Sequence, residues 1–292
     1  SLISNYADGI LFIEKMAIVR SYFPSSRRRD DAKKRKGEEN MKKRILPLLL
    51  TAAMVAGLAG CGSSAAKETT AASDNNQTTA ESTEAGSTTG EKILKVQDGP
   101  DPETVDPALN SAIDGGNMIL HAFEGLLTLD ENGQLKEGQA ESWDKETNDD
   151  GTVTYTFHLR DDIKWSDGQA VTAQDFEYSW KRLANPETAA DYTYMIDMVK
   201  GYSEVADGSA EVDTLGVKAV DDTTLQIDLS YDCPYFEEIM AFPATYPVRK
   251  DIVEGSDNWT FDPATYVTNG AYKLKEWSHN AYILMEKNEN YY

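Results

Sequence analysis

The sequence predicts an α/β fold for the chain beyond residue 91, because segments with strand spacing and segments with helix spacing follow one another without an internal repeat. Residues 152–160 alternate apolar and polar side chains, which is typical of a strand buried on one face. Residues 172–175 have the side chains of a helix N-terminus, and an Asn-Pro pair at 185–186 ends that helix. Residues 272–277 and 282–287 are two further strand-like runs about a short polar turn, which predicts a hairpin.

Three more elements are predicted from shorter patterns. The apolar residues of 93–96 favour a strand that ends at a Gly-Pro pair. Within 109–127 the apolar residues recur at helical spacing after two adjacent glycines, which indicates a helix. Two aspartates at 221–222 separate the alternating runs 217–219 and 225–229, so these runs are predicted to pair as antiparallel strands.

Charge is distributed unevenly along the 292 residues, whose formal net charge is -22. Residues 1–60 hold 12 Lys/Arg and 6 Asp/Glu, whereas the remainder holds 16 basic and 44 acidic residues. A body this acidic repels phosphate backbones, which argues against nucleic-acid binding. It is consistent with a soluble domain outside the cytosol.

The front of the chain resembles an export signal that ends at Cys61. Residues 41–60 begin with Met-Lys-Lys-Arg and continue as an almost uninterrupted apolar run that is short for a permanent membrane span. Leu-Ala-Gly before Cys61 resembles the lipobox of bacterial lipoproteins, so Cys61 is the expected lipidation site. We interpret residues 1–40 as a non-native or mis-annotated extension, and residues 61–90, rich in Ser, Thr and Ala, as a disordered tether.

The sequence contains none of the common catalytic, zinc, nucleotide or dinucleotide motifs, so we expect neither an enzyme nor a cofactor. The three histidines are far apart in sequence, which disfavours a metal site. Cys233 could pair with Cys61, but lipidation of Cys61 would leave it as a small buried thiol. The five tryptophans are expected to pack in the core or in hairpins, with one at most at a ligand surface.

Nine stretches in the folded part resemble, in the same order, the extracellular solute-binding proteins of the oligopeptide and dipeptide transporter family, known as family 5. These stretches are residues 103–107, 123–127, 140–143, 155–160, 164–168, 171–176, 178–182, 215–219 and 269–272. The resemblance extends from about residue 93 to residue 292. It implies the N-terminal portion of a periplasmic-binding-protein type II-like fold, in which two lobes close over an extended peptide.

By this resemblance, residues 91–124 are the first segment of lobe I, 125–248 its additional domain and 249–292 its return segment. The second lobe would be missing from this sequence. The implied protein is a monomer, anchored by lipid to the outer face of the bacterial cytoplasmic membrane. It would bind oligopeptides and deliver them to the membrane permease of an ABC transporter.

The resemblance also implies the ligand-binding residues. Ser111, Ala112 and Ile113 match the family segment that pairs with the main chain of the peptide, and Tyr192 matches a tyrosine that faces the ligand. The alternative to ligand contact by Tyr192 is ordinary packing beside Tyr194. Two other functions stay open at this stage: binding of a dipeptide, nickel chelate or sugar by the same fold, and hydrolysis by a secreted enzyme with paired carboxylates.

Overall fold

A computed structural model describes residues 92–292 of the chain. The predicted extension, export signal, Cys61 and tether therefore lie outside the described residues. The longer helices and the strands, in chain order, are α1 (Ile113–Ala122), β1 (Leu127–Leu129), β2 (Leu135–Glu137), β3 (Ala140–Thr147), β4 (Val153–Leu159), α2 (Ala173–Ala184), α3 (Tyr202–Ala206), β5 (Val217–Ala219), β6 (Thr224–Leu229), α4 (Phe236–Ile239), α5 (Lys250–Val253), β7 (Tyr272–Ser278) and β8 (Tyr282–Lys287).

The largest sheet is antiparallel, with its strands in the order β3-β4-β6-β5. In the central strand β4, every second residue from Val153 to Leu159 is buried, as the alternating sequence predicts. Phe157 in β4 lies opposite Trp143 of β3 and Leu225 of β6, so apolar side chains from three strands share one face. The predicted β5-β6 hairpin is confirmed.

Helix α2 covers the buried face of this sheet. It begins with a capping box in which the Asp175 carboxylate accepts the backbone N–H of Thr172 at 2.9 Å. Phe176, Trp180 and Leu183 are fully buried along its inner side, as predicted. The indole Nε1 of Trp180 donates to the Thr245 carbonyl at 3.2 Å, which satisfies the only polar atom of that side chain.

Two predicted elements differ in the structure. Residues 93–96 form no strand. A strand needs a neighbouring strand as hydrogen-bond partner, and none of the described residues pairs with this segment. The predicted helix within 109–127 is shorter than expected, because Phe123 is extended and ends α1 at Ala122. At Gly125 the backbone passes so close to Met240 and Tyr246 that a Cβ would overlap them, and Leu127 enters β1 instead of a helix.

The C-terminal hairpin of the described chain is confirmed: β7 pairs antiparallel with β8. Asn280 has a positive φ of 60° in the turn between these strands, a conformation that asparagine tolerates better than most residues. In the part of the chain that the structure describes, no helix is both long and apolar enough to cross a bilayer.

Candidate functional site

The predicted binding segment, residues 111–113, lies exposed at the start of α1. Ala112 precedes the helix with extended backbone angles, φ -112° and ψ 155°. Ile113 is 61% exposed, which is unusual for an isoleucine in a folded domain. An exposed extended segment that ends in an apolar side chain is suited to contact with another chain.

Hydrogen bonds divide the backbone groups of the binding segment into two sets. The Ala112 carbonyl accepts the side-chain amide of Asn110 at 2.9 Å and the backbone N–H of Gly116 at 3.0 Å. Within residues 92–292, by contrast, no hydrogen bond uses the backbone of Ser111. The N–H of Ile113 belongs to the first helical turn and so has no intrahelical acceptor. Ser111 and Ile113 therefore retain groups that a ligand can pair with.

A buried ion pair holds the chain just before the binding segment. The Arg182 guanidinium of α2 makes two hydrogen bonds to the Asp106 carboxylate, at 2.9 and 2.6 Å. Asp106 also accepts the backbone N–H of Ala108 at 3.0 Å, and its side chain is only 3% exposed. Charge-assisted bidentate pairs of this kind are geometrically specific. The binding segment is thus fixed relative to α2.

Tyr192 is half-buried and packs against neighbouring aromatic rings. Its ring meets Phe242 edge-on at 5.1 Å between centroids and lies 6.2 Å from the ring of Tyr194. No ring contact, ion pair or hydrogen bond found among the described residues joins it to the binding segment. The structure therefore shows the packing role, while the predicted ligand contact of Tyr192 stays a prediction.

The sequence reasoning missed a polar cluster around the buried Glu124, which we call the junction and define as Glu124, Gln139, Asn269, Tyr291 and Tyr292. The Glu124 carboxyl contacts Gln139 Nε2 at 2.7 Å and the hydroxyls of Tyr291 and Tyr292 at 2.9 and 2.8 Å. The backbone N–H of Glu124 donates to Asn269 Oδ1, and Asn269 Nδ2 donates to the Glu124 carbonyl.

Burial raises the pKa of Glu124, although these three side-chain contacts lower it in part. Glu124 and Tyr291 also line a cavity of about 180 Å³, with His121, Lys136 and Tyr272 on its wall. The partners of Glu124 lie up to 168 residues away along the chain, so no local motif could have indicated them.

The remaining candidate residues are accounted for by packing. Trp165, Trp180 and Trp259 are buried, and Trp143 stacks on Phe157. Cys233 is buried, as predicted, and burial raises the pKa of its thiol. Over residues 92–292 no group of three or more His, Cys, Asp or Glu side chains is arranged to hold a metal ion.

Comparison with known proteins shows the family. Residues 134–292 match the model described as bacterial extracellular solute-binding proteins, family 5 Middle. The chain belongs to this family. It is 42% identical over 217 residues to the periplasmic oligopeptide-binding protein OppA of Escherichia coli, and 38% identical over 205 residues to the oligopeptide-binding protein OppA of Bacillus subtilis. Those matches cover 73% and 70% of this chain.

The structural comparison agrees with the family. The fold is similar to that of Haemophilus influenzae OppA in complex with the peptide RPPGFSPFR, with a TM-score of 0.63 and 37% identity over 67% of this chain. The predicted fold class, a periplasmic-binding-protein type II-like α/β fold, is confirmed. The chain spans 39% of the E. coli relative, 37% of the B. subtilis relative and 38% of the H. influenzae chain.

Proposed function

We propose that this chain is part of a protein that binds oligopeptides outside the cytoplasm and delivers them to the permease of an ABC-type importer, without cleaving them. The observation that carries the proposal is the exposed binding segment, whose free backbone groups at Ser111 and Ile113 suit main-chain pairing. Amide groups are common to all peptides, so such pairing accepts many sequences. The names of the E. coli and B. subtilis relatives support the same ligand class.

The proposal assigns Ser111, Ala112 and Ile113 to the ligand main chain and Tyr192 to the cleft wall. Tyr192 packs against Phe242 and retains partial exposure, which supports this assignment. It also assigns residues 91–124 and 249–292 to one lobe and 125–248 to the additional domain of that lobe. Asp106–Arg182 and the junction connect these three segments.

The test uses the full-length protein purified without denaturation. Ligands released by acid are identified by mass spectrometry, and calorimetry then compares a mixed peptide library with free amino acids, nickel chelates and sugars. We expect peptides of mixed sequence in the extract and saturable heat only with peptides. Recovery of an intact peptide after prolonged incubation is expected of a binding protein. A non-peptide ligand, or peptide cleavage that disappears on carboxylate substitution, would overturn the proposal.

We further propose that Cys61 carries the lipid anchor at the outer face of the cytoplasmic membrane and that the protein is monomeric. The lipobox-like sequence before Cys61 supports the anchor, and burial of Cys233 disfavours a disulfide between the two thiols. Cells that express the protein are labelled with radioactive palmitate. Label in the wild type and its loss in Cys61→Ser are expected, whereas label that persists in Cys61→Ser would contradict this assignment.

A further inference from the structure

Asn110 is a buried asparagine that lies directly before the binding segment. The residue is only 9% exposed, and its Nδ2 donates to the Ala112 carbonyl at 2.9 Å. Its own N–H donates to the Asp106 carbonyl at 2.9 Å, so its backbone is tied to the residue that pairs with Arg182. Nothing in the local sequence pattern distinguishes this residue as functional.

Two hydrogen bonds to the Ala112 carbonyl, one of them from Asn110, determine which way the backbone of the binding segment faces. A carbonyl oxygen has two lone pairs, and those of Ala112 are occupied by Asn110 Nδ2 and the Gly116 N–H, so this carbonyl points into the protein. Because Ala112 is extended, the peptide groups on its two sides point in opposite directions. The Ser111 carbonyl and the Ile113 N–H therefore point away from the protein.

The absence of a side chain on Gly115 makes this arrangement possible. A Cβ on Gly115 would overlap the Asn110 side chain and the Thr104 carbonyl, so only glycine lets the first turn of α1 come this close. A Cβ on Gly116 would lie 3.5 Å from Asn110 Nδ2, which is an ordinary contact distance. The Asn110 side chain thus packs closely against the first turn of α1.

We propose that Asn110 is a positioning residue that sets the register of the bound peptide, an inference that rests on the proposed function. By holding the Ala112 carbonyl inward, Asn110 leaves one acceptor, on Ser111, and one donor, on Ile113, for the ligand main chain. A peptide that pairs with this acceptor and donor presents alternate side chains to the two sides of the cleft. Asn110 itself does not contact the ligand.

The experiment is a methylation scan of an alanine tetrapeptide against the full-length protein. Each backbone amide of the peptide is N-methylated in turn, and calorimetry gives the affinity of the wild type, Asn110→Ala, Asn110→Asp and the control Asn132→Ala in an exposed turn. In the wild type and the control, one methylated position should lose most affinity, because that amide donates to the Ser111 carbonyl. In Asn110→Ala we expect about tenfold weaker binding of the unmodified peptide, as for loss of one hydrogen bond.

The profile of the scan separates positioning from general stability. In Asn110→Ala the Ala112 carbonyl keeps only its bond from the Gly116 N–H, so the segment is held in place less tightly and the loss should spread over neighbouring amides instead of one. Asn110→Asp, which has no side-chain donor, should give the same flattened profile. If Asn110→Ala or Asn110→Asp still loses most affinity at one methylated peptide amide, as the wild type does, Asn110 does not set the register. This conclusion holds even if the variant binds the unmodified peptide more weakly. Failure of the wild type to bind any peptide overturns the proposed function as well.

Discussion

The four-stranded sheet and the junction around Glu124 each have buried residues at their centre, but different interactions hold them together. The sheet buries alternating apolar side chains of neighbouring strands under α2, and its polar side chains face outward. The junction joins the buried Glu124 carboxyl and two buried amides to the hydroxyls of Tyr291 and Tyr292, which are partly exposed. Apolar packing is non-directional and tolerates exchange, whereas a buried polar cluster is favourable only when each member has its partner. The two regions should therefore respond differently to substitution.

The largest effect is expected in the sheet, from Trp180→Ala. This change removes a fully buried side chain and its hydrogen bond to the Thr245 carbonyl, and should lower the free energy of unfolding by about 3–5 kcal/mol. Urea unfolding of the full-length protein, followed by circular dichroism, measures it. Val220→Ala is the control, since Val220 is 55% exposed and should change stability by less than about 0.5 kcal/mol. Similar losses in both variants would show that α2 is not part of the core.

These two regions also differ in how far the sequence predicts them. Alternation in 152–160 and 224–229 and the capping residues of α2 are local signals, so β4, β6 and the helix were predicted correctly. The junction joins Glu124 to Gln139, 15 positions away, and to Asn269 and the two tyrosines, 145 to 168 positions away, and pairing over such distances leaves no periodic signal. The strand predicted at 93–96 was wrong for a related reason: apolar composition favours a strand but cannot supply its partner.

The candidate site was predicted in part. A resemblance to a known family, not periodicity, indicated residues 111–113, and the structure shows that they are exposed and extended where α1 begins. Asn110 escaped notice because its role depends on a turn that brings its side chain onto Ala112 and on the missing Cβ of Gly115. Such a role comes from tertiary geometry, which composition and spacing do not encode.

The next effect concerns the buried ion pair, and Arg182→Met tests it. This change leaves the Asp106 carboxylate buried without its cation, which should cost about 3–5 kcal/mol. The double variant Arg182→Met/Asp106→Asn removes both charges while an amide oxygen can still accept the Ala108 N–H. It should therefore be more stable than Arg182→Met alone in the same urea experiment. If the double variant is less stable than Arg182→Met, the unpaired Asp106 charge is not the cause of the stability loss in Arg182→Met.

A pH effect is expected from Glu124. The single proton of the Tyr292 hydroxyl faces two acceptors, Glu124 Oε2 at 2.8 Å and the Gly138 carbonyl at 2.9 Å. With Glu124 charged, the Tyr292 hydroxyl donates to the carboxylate; with Glu124 protonated, the carboxyl can donate to Tyr292, whose proton is then free for the Gly138 carbonyl. Burial raises the pKa of Glu124 and so favours the protonated form. Lys136 is a nearby cation, and Arg160 lies over the Tyr292 ring at 4.8 Å.

The sign of the pH effect follows from linkage. Between the ordinary pKa of glutamate, about 4.3, and the higher folded value, the folded state binds the extra proton. The contribution of Glu124 to stability is therefore complete below pH 4.3 and is lost as pH rises through the folded pKa. Glu124→Gln keeps a neutral hydrogen-bond donor and should remove this loss. The free energy of unfolding of the variant should therefore rise relative to the wild type as pH becomes alkaline. Urea unfolding from pH 4 to 9 measures it, with exposed Glu141→Gln as control. A Glu124→Gln curve parallel to the wild type would contradict the prediction.

The smallest effect is expected at an ion pair on the solvent side of the sheet. Lys145 of β3 lies 2.6 Å from Asp232, and their side chains are 36% and 52% exposed. Water screens such a pair and the long side chain loses rotamer freedom, so Lys145→Gln should lower the free energy of unfolding by less than about 1 kcal/mol. The effect should shrink further in 1 M salt, where the Debye length falls to about 3 Å.

Arg182→Met in the same salt should keep its full cost, because its partner is shielded from ions by burial. If Arg182→Met and Lys145→Gln lower the free energy of unfolding equally and respond equally to salt, then burial does not set the strength of the Arg182–Asp106 ion pair relative to the Lys145–Asp232 pair.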